Sequence, residues 1–274
     1  MDTITIAIVS VTVIGIVCAL ILSTASKVMH VTVDERISSI RELLPGVNCG
    51  ACGYPGCSGL AAALVADPTI NISLCPPVSL AAVEKISAIL GVDVVTIEPK
   101  VAIVTCKGSS NVQKKKFNYK GVQTCVGSKM LFGGEGACSF GCLGYGDCLS
   151  ACPVGAICIE DELARINTRF CSGCGLCLKV CPNNLISIIS RETPVYVACK
   201  NTEKGAVIRK KCYAVCIACR KCVRECSEQA IEVENNLAII DKDKCAGCGH
   251  CAEICPTKCV QLTGVKQPEL PPKH

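Results

Sequence analysis

Four cysteine runs in the second half of this chain share one rhythm. Cys171, Cys174, Cys177 and Cys181 are spaced Cys-x2-Cys-x2-Cys-x3-Cys and are followed by a proline; Cys245, Cys248, Cys251 and Cys255 repeat both features. Cys216, Cys219, Cys222 and Cys226 keep the spacing, with Ser227 in place of the proline. Cys138, Cys142, Cys148 and Cys152 read as a stretched copy, x3-x5-x3, ahead of Pro153. Four thiolates so close in sequence cannot easily all meet one tetrahedral ion, so zinc fits poorly. The spacing is the bacterial run that binds 4Fe-4S clusters, in which the fourth cysteine serves the sister cluster. The chain has 27 cysteines in 274 residues and no Trp, which argues against an ordinary single-core enzyme. Disulfide scaffolds reach such densities only in short secreted chains. Mean hydropathy of +0.44 argues against disorder.

The gaps pair the runs. Cys152 to Cys171 encloses 18 residues, and so does Cys226 to Cys245. Each gap holds two short β-like runs, AICIEDELARIN and AIEVENNLAII. Two dicluster ferredoxin modules are therefore expected, over 134–190 and 212–264. Crossed ligation gives the sets Cys138/Cys142/Cys148/Cys181 and Cys152/Cys171/Cys174/Cys177 in the first. In the second it gives Cys216/Cys219/Cys222/Cys255 and Cys226/Cys245/Cys248/Cys251. A strand-Cys-loop-Cys prefix precedes each module: VAIVTC ends at Cys106 and leads to Cys125, and VYVAC ends at Cys199 and leads to Cys212. These four are either buried thiols and local pairs or the ligands of a further cluster across the two prefixes. Cys158 and Cys259 read as small core residues in strands.

An earlier group, NCGACGYPGC, places Cys49, Cys52 and Cys57 together, with Cys75 remote and followed by Pro76-Pro77. Three clustered cysteines plus one distant fit a 4Fe-4S cube better than zinc, which usually pairs two close-spaced knuckles. Glycines 46, 50, 53, 56 and 59 let the backbone wrap closely around the sulfurs. Upstream, Ile4 to Leu22 carries no charge and, at 1.5 Å per residue, is just long enough to cross a hydrocarbon core of about 30 Å. A signal peptide would want a basic start, but the chain opens Met1-Asp2. We read an anchor. Lys27 after it and Asp2 before it place the bulk in the cytoplasm, where cysteines stay reduced. Cys18 within it reads as a small apolar side chain. VDERISSIRELL then reads as a short amphipathic helix stopped by Pro45 and Gly46.

The rest excludes several functions. The three His residues, at 30, 250 and 274, make no metal or triad pattern. GGEG at 133–136 lacks a dinucleotide fingerprint, and no P-loop is present. The formal charge of +5 ignores ligand thiolates, so it implies no nucleic acid. Basic runs at Lys114–Lys116 and Arg209–Lys211, with Arg220, Lys221 and Arg224 by the third run, are solvated loops or a docking face for an acidic carrier.

The order of anchor, NCGACGYPGC group with Cys75, and ferredoxin runs resembles the B subunit of the Rnf-type ion-translocating electron transport complex. The longer form, with the Cys106–Cys125 prefix, the GACSFGCLGYGDCLSACP run and a second module, resembles the clostridial type. The resemblance implies an α+β chain: an N-terminal transmembrane helix (1–26), a small Fes-like 4Fe-4S domain (27–98), and two dicluster-ferredoxin-like modules in tandem (99–190 and 191–264, each with its prefix), then a disordered tail (265–274). It implies that Cys49, Cys52, Cys57 and Cys75 bind the Fes-like cluster, for at least five clusters in all. It implies electron transfer from soluble ferredoxin toward NAD, coupled to sodium or proton export, with other membrane and flavin-bearing subunits as partners. No substrate-converting site is expected in this chain. The rival readings are an electron-transfer subunit of a hydrogenase or heterodisulfide reductase, and a zinc-stapled structural protein.

Overall fold

A computed structural model describes residues 3–28, 34–67, 69–93 and 98–263. The expected tail at 265–274 lies outside the described residues, as do His30, His274 and the joint at 94–97.

Helix α1 (Thr3–Val28) extends past both ends of the uncharged stretch. Its window Ile8–Ala25 has mean hydropathy 2.5 and none of it is buried in the protein, so by length and composition it can cross a membrane. Thr12 and Thr24 return their hydroxyls to carbonyls one turn back, which hides those donors from lipid.

The next segment packs three helices around an aliphatic core. Helix α2 (Glu35–Leu43) is capped by Asp34, whose carboxylate accepts the Arg36 backbone N–H and its guanidinium. Those hydrogen bonds hold the Asp34 carboxyl below its ordinary value. Helix α3 (Gly56–Ala66), a 3-10 turn at Ile72–Leu74 and helix α4 (Leu80–Leu90) follow. Ser79 caps α4, and Gly91 ends it at φ 70, a left-handed position that costs glycine little. Ile40, Leu60, Leu64, Val83 and Ile86 from these helices are fully buried together.

Each ferredoxin module then repeats one topology. In the first, β1 (Lys100–Val104) is followed by α5 (Cys125–Met130), α6 (Asp147–Ser150), β2 (Ile157–Glu160), β3 (Leu163–Ile166), α7 (Leu176–Val180) and β4 (Ile186–Ser190). In the second, β5 (Val195–Val197) is followed by α8 (Gly205–Ile208), α9 (Lys221–Arg224), β6 (Ile231–Glu234), β7 (Leu237–Ile240), α10 (His250–Glu253) and β8 (Val260–Leu262). The expected gap strands are the hairpins β2–β3 and β6–β7, both antiparallel. Each prefix strand pairs antiparallel with its module's last strand, β1 with β4 and β5 with β8. The prefixes are thus sheet members rather than appendages. Aliphatic strand residues and cysteines are buried together in both modules. Cys158 is buried on β2 as expected, whereas Cys259, also buried, stands just before β8 rather than in it.

Candidate metal centres

The third cysteine of every ferredoxin run sits on a one-turn helix: Cys148 on α6, Cys177 on α7, Cys222 on α9 and Cys251 on α10, all buried. Each helix follows a left-handed residue: Gly146 at φ 85, Gly175 at 76, Arg220 at 57 and Gly249 at 77. Two residues earlier lies another, Gly144 at φ 78, Gly173 at 68, Ala218 at 55 and Gly247 at 76. This double kink brackets a single residue in each run. That residue is Cys174, Cys219 or Cys248 in three runs, and Tyr145 in the first.

The stretched run is therefore a regular one with its second ligand replaced: Cys142-x2-Tyr145-x2-Cys148-x3-Cys152. Cys125, at the start of α5, takes the empty place. One void is walled by Cys125, Cys142, Cys148 and Cys181. Burial pushes the Cys148 thiol up to about 12, with the Cys142, Cys125 and Cys181 sulfurs acting in the same direction. The Asp147 carboxylate on α6 accepts the backbone N–H groups of Cys125 and Val126, pinning the start of α5 against α6. Tyr145 turns aside, bonding Glu135 at 3.1 Å and meeting Tyr119 edge-on at 5.9 Å.

The expected set Cys138/Cys142/Cys148/Cys181 is thus not the one brought together. Cys138 lies four residues before Cys142, where the second module has Cys212 before Cys216. It faces a different void, with Cys106, Cys199 and Cys212. The sequence signal for Cys125 was the five-residue gap between Cys142 and Cys148, which equals two x2 gaps plus one replaced ligand.

The other expected sets do come together. Cys75 is raised to about 12 by burial first, then by the sulfurs of Cys52, Cys57 and Cys49. Cys57 lies in the first turn of α3, and its N–H donates to Asn48 Oδ1 at 2.8 Å. Cys177 is raised to about 12 by burial and the facing Cys171, Cys174 and Cys152 sulfurs. Burial raises Cys222 to about 11, with Cys216, Cys219 and Cys255 beside it. Cys251 is raised likewise, with Cys245, Cys248 and Cys226 beside it.

The donors around these sulfurs suit an iron–sulfur cube. Backbone N–H groups of Ala102 and Gly173 point at Cys171 Sγ (3.3 and 3.4 Å), that of Ala156 at Cys152 Sγ (3.3 Å) and that of Leu185 at Cys181 Sγ (3.3 Å). Such hydrogen bonds stabilise thiolate charge and tune cluster potential. All cysteines are free of disulfides. Among the described residues, no three Cys, His, Asp or Glu side chains converge closely enough for a single ion. Zinc would draw its sulfurs to about 2.3 Å from one point, whereas a cube holds them apart around a void.

Two neighbours complete the picture. Cys259 Sγ lies 3.7 Å from Cys255 Sγ, where the first module has Leu185 beside Cys181. Its S–H holds Cys255 down to about 4 and Cys216 down to about 6. His250 reaches carboxylates of Glu253 at 3.7 Å and Glu225 at 3.9 Å, beside the runs.

Three family models match along the chain: "Putative Fe-S cluster" over residues 44–77, "4Fe-4S binding domain" over 164–187 and "4Fe-4S dicluster domain" over 215–259. The chain is 37% identical over 250 residues to the B subunit of an ion-translocating oxidoreductase complex from Methanosarcina acetivorans, covering 91% of this chain and 94% of that one. It is 36% identical over 264 residues to the B subunit of a proton-translocating ferredoxin:NAD(+) oxidoreductase complex from Clostridium ljungdahlii, covering 95% and 93%. It is 37% identical over 249 residues to the B subunit of the Na(+)-translocating complex of Acetobacterium woodii, covering 90% and 74%.

Proposed function

Because the chain belongs to the B-subunit family of ion-translocating ferredoxin:NAD oxidoreductase complexes, we propose that it takes electrons from reduced ferredoxin on the cytoplasmic side and relays them toward NAD reduction. Sodium or proton export then belongs to partner subunits, because the uncharged stretch of α1 has none of the ionisable membrane residues an ion path needs. The 4Fe-4S cubes, when bound, supply one-electron chemistry, and the chain supplies everything else.

The observation that carries this reading is the succession of four-sulfur voids, each armed with N–H donors or a one-turn helix. We assign five cubes to Cys49/Cys52/Cys57/Cys75, Cys125/Cys142/Cys148/Cys181, Cys152/Cys171/Cys174/Cys177, Cys216/Cys219/Cys222/Cys255 and Cys226/Cys245/Cys248/Cys251. The sets lie close to one another: Cys148 also faces Cys177 of the sister set. The turn after Cys75 shares a cleft with Cys171 and Ser172. Helix α1 anchors the chain at the membrane beside flavin-bearing partners.

Entry for the donor is best supported at α9. Arg220, Lys221 and Arg224 are exposed there, around an exposed Cys219. Lys115 and Lys211 are less available, being committed to Glu162 at 2.6 Å and Glu203 at 2.8 Å. Positive charge at a thin point of the shell would steer an acidic ferredoxin, with attraction that salt screens.

The test is anaerobic purification of the full-length chain in detergent, followed by stopped-flow mixing with reduced ferredoxin. The expected result is a brown protein whose broad visible absorption bleaches, at a rate that falls as salt rises. A colourless, zinc-loaded protein, or a brown one that ferredoxin cannot reduce, would reject the reading. Co-purification with flavin-bearing multispan subunits supports it over a hydrogenase or heterodisulfide reductase assignment.

A further inference from the structure

We propose that Cys106, Cys138, Cys199 and Cys212 hold a sixth 4Fe-4S cluster, shared between the two ferredoxin modules and placed between the Cys142 and Cys216 sites. The proposal rests on the iron–sulfur reading above and goes beyond it, because neither dicluster motif requires any of these four.

Each module contributes two sulfurs in matching positions. Cys106 follows strand β1 and Cys199 follows strand β5; Cys138 precedes Cys142 by four residues and Cys212 precedes Cys216 by four. The four line one void. The modules are clasped beside it by an antiparallel bridge. Lys114 N–H donates to Lys211 O at 2.9 Å, and Tyr213 N–H donates to Val112 O at 3.0 Å. Cys138, Cys199 and Cys212 are buried, Cys106 is half-buried, and none is in a disulfide.

The void has the donor set of a thiolate site. Gly108 and Cys142 both direct backbone N–H groups at Cys106 Sγ, each at 3.4 Å. Asn201 directs its backbone N–H at Cys199 Sγ (3.5 Å) and its side-chain Nδ2 at Cys138 Sγ (3.4 Å). Asn201 is 1% exposed. Burying an amide against a neutral thiol, a weak acceptor, leaves most of its desolvation cost uncompensated; against a ligand thiolate the same bond is charge-assisted. Four neutral core thiols would not call for four N–H donors.

The location gives the site a task. Cys142 is a ligand residue of the first module's leading set, and its N–H touches Cys106. The backbone N–H of Cys216, a ligand residue of the second module, likewise faces Cys199. The shared site therefore abuts the nearest set on each side and closes the gap between two otherwise separate pairs. One electron enters and one leaves, with no bond made or broken.

The test uses the full-length chain, purified or reconstituted anaerobically. Wild type should hold about 24 iron and about 24 sulfide, against about 20 of each for five cubes. The double variant Cys199→Ser/Cys212→Ser should lose about four of each while Mössbauer spectra of the remaining sites stay unchanged. Should that variant misfold, Asn201→Asp keeps the Oδ1 that accepts the Glu203 N–H at 2.7 Å and exchanges the Nδ2 donor to Cys138 for a carboxylate oxygen, so the sulfur loses its hydrogen bond and gains a negative neighbour. It should retain the wild-type iron content and lower the midpoint potential of one cluster in an EPR-monitored titration. About 20 iron in a wild type whose five other sites are filled would overturn the sixth site alone. So would an Asn201→Asp titration identical to wild type. A chain with no iron at all would overturn both this site and the electron-transfer reading.

Discussion

The two ferredoxin modules share strand pairing, helix placement and crossed sulfur sets, yet they depart from regularity in different places. The second has a cysteine at every motif position, but it places Ala218 and Arg220 at left-handed backbone positions where the other three runs have glycine. The first keeps the glycines, Gly144 and Gly146, and has Tyr145 where the ligand belongs. Its fourth sulfur comes from Cys125 on α5, held in place by Asp147. A cube constrains where four sulfurs stand and not which segment delivers them. The double kink survives in the first module because it also starts the helix that carries Cys148. Ligand identity and loop geometry are thus separable requirements, and each module relaxes a different one.

The sharpest way to break this comparison is to move the ligand back. Cys125→Ala should cost the first module one whole cluster, a loss of about four iron per chain, and should slow ferredoxin-driven electron transfer through the chain by at least about a hundredfold. Adding Tyr145→Cys to that variant should restore the iron and most of the rate. Cys138→Ala should leave the cluster at Cys142, Cys148 and Cys181 intact, as read by its unchanged Mössbauer signature. If Cys138→Ala and not Cys125→Ala removed that cluster, the comparison would be wrong.

A smaller effect separates the modules at Cys259. Cys259→Ala removes an S–H donor from Cys255 that the first module, with Leu185 there, never had. If the bond favours the reduced cluster by roughly 1 kcal/mol, its loss lowers one midpoint potential by roughly 40 mV for a one-electron step. Leu185→Cys should shift the corresponding first-module cluster upward by a similar amount, and spectroelectrochemical titration reads both.

The smallest effect is on stability. Ala218→Gly and Arg220→Gly relieve left-handed strain of about 1–2 kcal/mol per residue, less the extra chain entropy that glycine brings to the unfolded state. Each should raise the second module's stability by about 0.5–1 kcal/mol, measurable as a small rise in the denaturant midpoint of the loaded protein. Gly175→Ala, at φ 76 in the first module, should lower it.

Much of this was legible in the sequence because the ligand spacing is itself the structural constraint. The exchange of Cys181 with Cys152, and of Cys255 with Cys226, between sister sets is what the motif implies, and the hairpins follow from the two short β-like runs in each of the equal gaps. α2 was legible from the helical spacing of its apolar residues and from Pro45 and Gly46 after it. Cys125 was not, because a ligand delivered from outside its run leaves no local spacing; only the excess gap before Cys148 betrays it. Reading that gap as stretch rather than replacement put Cys138 in the wrong neighbourhood. The pairing of β1 with β4, and of β5 with β8, joins residues far apart in the chain, so no local pattern shows that the prefixes belong inside the modules. Asn201 was invisible for the same reason: its partner Cys138 is 63 residues away.

The most direct test of the account is to locate the iron. An anomalous difference map from anaerobic crystals of the full-length chain, recorded on either side of the iron absorption edge, should show compact iron peaks inside the five assigned sulfur sets. In the first module one peak should fall among Cys125, Cys142, Cys148 and Cys181 and a second among Cys152, Cys171, Cys174 and Cys177, and a sixth peak should lie between the modules, past the ends of β1 and β5. Peaks at the zinc edge instead, or sulfur voids without iron in a folded protein, would contradict it.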